Sequence, residues 1–153
     1  MTAHPDSCEV FFIRHAPVVK LAGHVPPVDP PITPDNFTVT PLVSQLPEAA
    51  LWHVSPLQRA RQTADLLTPS LRPARLTTAP ELVEMDQGAW HDRPVAEVWD
   101  QIKDGPLHNW TFVTPDRVAP NGESFVMRAA GVARWRQQLA ADFTPTPRIV
   151  VCH

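Results

Sequence analysis

Apolar residues along this chain fall into two patterns: short unbroken runs, and longer stretches in which they recur every three or four positions. Val10, Phe11, Phe12 and Ile13 form an uninterrupted run of strand-forming residues, as expected of a parallel strand buried on both faces. Leu51 to Val54, Arg75 to Thr78 and Arg148 to Cys152 predict three more strands. Between them, Leu57, Ala60, Ala64 and Leu67 share a stripe that predicts a helix from Pro56 to Leu67. Ser55 is its expected capping hydroxyl and Pro56 its first helical residue. Pro94 to Lys103 predicts a helix with Val95, Val98, Trp99 and Ile102 turned inward. The longest helix is expected from Asn121, as cap, to Ala141, with Glu123 near its positive amino end. A short helix over Pro41 to Ala50 would place Leu42, Leu46 and Ala49 on one side. In the stretch ELVEMDQGAWHDRP, Leu82, Glu84 and Asp86 share one parity if the chain is extended, and Gly88 implies a tight turn or a close approach of backbone.

Composition narrows the class. The chain has 153 residues, 43% hydrophobic and 19% charged, enough for one domain with a real core rather than a disordered polymer. A net charge of −3 gives no general reason to expect nucleic acid as a partner. No apolar run approaches the roughly 20 residues of a membrane span, and the opening MTAHPDSCEVFFIRH lacks a basic start and cleavage site, so a cytoplasmic protein is expected. Two cysteines make no disulfide framework: with Cys8 and Cys152 on adjacent parallel strands they would be offset by about six residues, or roughly 20 Å. No paired Cys or His spacing suggests a metal or other cofactor. The 19 prolines cluster between the periodic segments, so the loops, including the long one after His15, are expected to be stiff rather than linker-like.

Candidate chemistry sits where strands end. Arg14 and His15 terminate the first apolar run abruptly, at the place where open α/β sheets put their ligand crevices. Arg14 can grip an anion with two donors, and His15 offers a nucleophilic or basic nitrogen near neutral pH. Arg59 falls in the first turn of the 56–67 helix, so its guanidinium and the free backbone N–H groups there could hold the same anion. Arg61, about 200° further round, is better placed to pair with Asp65. Taken singly, each of these residues has a plain reading as a surface charge.

Several stretches together resemble one pattern, that of the histidine phosphatase superfamily, the phosphoglycerate mutase-like enzymes. IRHA resembles its signature Arg-His-Gly, SPLQRARQTADLL its second-arginine helix, LVEMDQGAW its acid-residue segment and IVVCH the strand that ends in its second histidine; NGESF is a looser match. These stretches occur in family order over nearly the whole chain, and they look most like the α-ribazole phosphatase and broad-specificity phosphatase branch. The resemblance implies a three-layer α/β/α domain with a mostly parallel sheet. It implies hydrolysis of a small-molecule phosphomonoester through a phosphohistidine, with no metal or cofactor. By position, His15 matches the histidine that carries the phosphoryl group, Arg14 and Arg59 the phosphate-clamping arginines, His153 the second histidine of the phosphate pocket, a possible third cation, and Glu84 the proton donor. His24, His53, His91 and His108 match nothing and are expected at the surface or partly buried, with Trp90 and Trp110 as packing anchors.

The chain also departs from the pattern. Ala16 stands where the family has Gly, at a cost of roughly 1 kcal/mol if the backbone there needs a positive φ. His91-Asp92 follow Trp90 where many members have Glu-Gly. Family members continue past the second histidine, so residues 1–153 are expected to be a single domain lacking its C-terminal segment. Ala16 and that ending support an alternative, a catalytically impaired relative that binds a phosphorylated ligand or a partner; a protein phosphohistidine phosphatase is a third reading.

Overall fold

The computed structural model describes residues 7–34, 38–103 and 114–153. Four parallel strands, β1 (Val10–Arg14), β2 (Leu51–Val54), β3 (Arg75–Thr78) and β4 (Arg148–Cys152), lie in the order β1-β4-β2-β3. The last strand is therefore threaded between the first two, with Arg14 level with Cys152 and Val54 level with Val151. Two further backbone bonds close the carboxyl ends: His15 N–H donates to the Cys152 carbonyl and Ser55 N–H to that of Val151, each at 3.0 Å. Residues 15, 55 and 153, distant in sequence, are thereby fixed side by side.

Alternation along β4 explains the layers. Ile149 and Val151 face one side, where they meet Ile13, Trp52 and Val54 under Ala60, Ala64, Leu67 and Leu71 of helix α2 (Gln58–Leu71), with the single turn α1 (Thr40–Val43) alongside. Val150 and Cys152 face the other, against Trp135 and Leu139 of α4 (Phe125–Ala141). Helices thus cover both faces of a parallel sheet, the three-layer α/β arrangement expected from the sequence. A smaller cluster of Val25, Trp90, Val98, Ile102 and Ala119 seats α3 (Val95–Ile102) on the loops.

Several local expectations shift. The helix expected over 41–50 is only one turn, because Pro47 cannot continue it and Ala49 takes a positive φ of 52°. Helix α2 starts at Gln58, without Ser55 as its cap, and runs on through Pro69 because Leu71 reaches the core beside Leu67. Val95 and Trp99 are each more than a third exposed: in so short a helix Val98 and Ile102 are the buried stripe. Ser124, not Asn121, caps α4, its Oγ accepting from Met127 N–H; Asn121 instead sits in a turn with φ of 61°. The segment 80–90 is not one extended run either, since Pro80–Leu82 and Gly88–Trp90 are 3-10 turns.

That segment is nevertheless held firmly. Glu123 accepts from Asp86 N–H, donates its own N–H to the Asp86 carbonyl, and pairs with Arg128. At Gly88, φ is +49° and a Cβ would run into the Pro120 carbonyl, which is the close backbone approach expected there. Trp90 is buried as an anchor and donates to Gln101, while Trp110 and His108 lie outside the described residues. The proline-rich stretch after His15 is ordered by backbone bonds of Val19 to Pro31 and Thr33 to Pro17. Cys8 and Cys152 are free thiols.

Candidate active site

His15 emerges from β1 with its ring 5.1 Å, centroid to centroid, from that of His153 at the end of β4. Its Nδ1 lies 2.7 Å from the carbonyl oxygen of Ala16. A carbonyl only accepts, so Nδ1 carries the proton and Nε2 keeps its lone pair. Burial, the largest influence, lowers the His15 pKa; the Ala16 hydrogen bond and Glu84 oppose it, and Arg59 and Arg14 add to it. The imidazole is thus held as the neutral tautomer that a nucleophile requires.

His153 has the opposite tautomer. Arg59 Nε, a donor only, points at His153 Nδ1 from 3.1 Å, so the ring proton is on Nε2, which donates to Ser55 Oγ at 2.9 Å. Burial pushes its pKa down to about 3, helped by Arg59, His15 and Arg14. The possibility of a cationic His153 therefore fails for the substrate-free site: the ring is neutral, and its role there is to fix Arg59.

Arg59 is the hub. Its side chain is only 4% exposed, and every nitrogen has a partner: Nε on His153, Nη1 on the Val28 carbonyl at 3.1 Å, Nη2 on Glu84 Oε2 at 2.8 Å. Glu84, half-exposed, also stands 3.8 Å from His153 Nδ1. His15, Glu84 and His153 present ligand atoms within 4.8 Å of one another, as a metal site would. Here the guanidinium of Arg59 already bridges two of the three as their cation. Arg14 is exposed and has no hydrogen-bond or ion-pair partner among the described residues; it reaches the site through its charge, which acts on both histidines.

The structure thus brings His15, Glu84, His153 and Arg59 together. Other expectations change. At the amino end of α2 one backbone N–H, that of Gln58, is already taken by Asp29 Oδ1 at 2.8 Å. Arg61 is exposed and forms no ion pair with Asp65 among the described residues. Ala16 has no positive φ, so the expected backbone cost is not incurred. Instead its N–H donates to Thr63 Oγ1 at 2.9 Å, and that hydroxyl donates to the Arg59 carbonyl at 2.7 Å, tying the His15 loop to the turn that carries Arg59. Ser55, Thr63 and Asp29 were not legible as site residues. Ser55 follows the end of a strand just as His15 does, and that position was its one signal.

The neutral histidines carry a consequence for stability. In the native state His153 resists protonation down to about pH 3, whereas the unfolded chain takes the proton near its ordinary pKa of about 6.5. Its contribution is intact above about pH 6.5 and is lost progressively as pH falls toward the folded value. Urea midpoints of the wild type should fall between neutrality and about pH 4.5 by more than those of His153→Asn. Parallel curves for the two proteins would contradict this assignment.

Comparison with known proteins places this geometry. The family profile of the histidine phosphatase superfamily, branch 1, matches residues 10–153. No curated protein matches the chain closely enough to count as a relative. Among solved structures, a mycobacterial glucosyl-3-phosphoglycerate phosphatase is similar with a TM-score of 0.72 at 20% identity, covering 93% of this chain and 72% of its own. An alpha-ribazole phosphatase from Shigella flexneri gives 0.69 at 23%, covering 94% and 73%. A Thermus thermophilus protein gives 0.67 at 24%, covering 94% and 77%. Such identities speak for the fold, and the profile match across the sheet and both histidines speaks for descent: this chain belongs to the histidine phosphatase superfamily, branch 1.

Proposed function

We propose that the protein is a metal-independent phosphomonoesterase that works through a phosphohistidine on His15. The observation that carries the proposal is the His15 ring, whose Nδ1–H is spent on the Ala16 carbonyl so that Nε2 is left unprotonated, in a ring that clusters with Glu84 and His153. The Nε2 lone pair forms the N–P bond as the P–O bond of the ester breaks, and the departing oxygen takes a proton from Glu84. Water then attacks phosphorus, the Glu84 carboxylate takes its proton, and the N–P electrons return to Nε2, releasing inorganic phosphate. Arg59 and Arg14 supply positive charge for the equatorial oxygens. A bound phosphate displaces Glu84 from Arg59 Nη2, which releases the acid for the leaving group.

A small-molecule ester as substrate is part of the same proposal, supported by the names of the phosphatases with this fold. No helix among the described residues is long and apolar enough to cross a membrane. A cytoplasmic setting belongs to the same proposal. The test is hydrolysis of p-nitrophenyl phosphate in excess EDTA, combined with alkaline quenching, which spares the acid-labile N–P bond, to trap the phosphoenzyme. Turnover that survives chelation, with a phosphorylated intermediate mapping to His15, is expected. Loss of turnover in EDTA with recovery on adding a divalent ion would overturn metal independence, and ligand binding without any turnover would favour the impaired binder.

A further inference from the structure

The proposed mechanism leaves one charged group at the site unused. Asp29 lies in the proline-rich loop, with Oδ1 3.5 Å from Arg59 Nη1. It is fixed twice to the helix that carries Arg59: Oδ1 accepts from the Gln58 backbone N–H, and its carbonyl accepts from the Gln58 side-chain amide. Leu57, at the helix boundary, gives no side-chain cap, so Asp29 supplies that cap from a distant part of the chain.

The nitrogens of Arg59 divide into two sets. Nε and Nη2 contact His153 and Glu84, the residues of the reacting cluster, while Nη1 contacts, among the described residues, the Val28 carbonyl and Asp29. A guanidinium this deeply buried needs compensating charge, and Glu84 cannot supply it throughout the cycle, because the proposed acid is neutral before it gives up its proton. During that interval Asp29 is the carboxylate left beside Arg59 among the described residues. We propose that Asp29 is the positioning residue of the phosphate clamp: it holds Arg59 by its far nitrogen, keeping the other two directed at the phosphoryl group while Glu84 is protonated or displaced.

The inference rests on the phosphatase reading, and its test separates the two. Asp29→Asn keeps an oxygen for Gln58 N–H but removes the charge; Asp29→Ala removes both. For Asp29→Asn, kcat should fall about tenfold, while the melting temperature stays unchanged. Inhibition by inorganic phosphate should weaken as well, because the anion displaces Glu84 and leaves Arg59 to be directed by Asp29 alone. Asp29→Ala should lose stability as well. A residue that merely anchors the loop would give the opposite split, with kcat preserved in Asp29→Asn and phosphate binding weakened in step with the melting temperature in Asp29→Ala. That result, or wild-type kcat and phosphate inhibition in Asp29→Asn, would overturn the assignment. A wild-type protein that hydrolyses no ester would sink the phosphatase reading instead. The positioning role would then be read from phosphate binding alone, monitored by the His15 ring resonances; unchanged binding in Asp29→Asn would count against it.

Discussion

Replacing His15 by Asn takes p-nitrophenyl phosphate hydrolysis to background, a loss of at least about 10,000-fold. Nothing else at the site can replace it. Among the described residues His153 is the other imidazole at the site, and both its nitrogens are committed, Nδ1 to Arg59 and Nε2 to Ser55. Asn fits the space and presents an amide where the lone pair was, so the loss should come with little change in the urea midpoint: the ring is only partly buried and donates a single hydrogen bond, to its neighbour's carbonyl. If the variant kept more than a few per cent of wild-type turnover, the covalent route would be wrong and direct attack by water on the ester would take its place.

Glu84→Gln separates leaving groups. An alkoxide needs a proton as it departs and nitrophenolate does not, so the variant should lose about 100- to 10,000-fold on alkyl phosphates and far less on p-nitrophenyl phosphate. Gln retains an oxygen for Arg59 Nη2, so the clamp survives the substitution. Equal losses on the two substrate types would assign Glu84 to holding Arg59 and leave the proton to come from elsewhere.

The sheet was legible where a strand is a short apolar run, as in β2 and β4. β1 also falls on its run, yet it is an edge strand with Phe12 66% exposed and not the strand buried on both faces that the run suggested, and β3, RLTT, is exposed throughout. Histidine and arginine at strand ends were legible for a related reason, since a charged residue that breaks an apolar run marks the edge of the core. What escaped were contacts between segments far apart in the chain. Asp29 has no periodic partner in sequence, and its link to Gln58 exists only after the loop folds over the helix. Ser55-Pro56 looked like a helix start because the local chemistry is the same, whereas the neighbouring strand end, carrying His153, claims the hydroxyl. The protonation of His153 was equally beyond sequence. It depends on which atom of Arg59 meets which ring nitrogen inside the fold.

Around Arg59 and Arg14 the two guanidinium charges are balanced by the carboxylates of Asp29 and Glu84, while both imidazoles stay neutral. At a distance such a cup projects almost no potential, and the rest of the molecule is mildly acidic. An anionic ester must therefore arrive by unassisted diffusion, meeting the exposed Arg14 at short range and Arg59 only after it has displaced an internal carboxylate. Capture should proceed at ordinary, unsteered association rates, and kcat/KM should vary little with ionic strength.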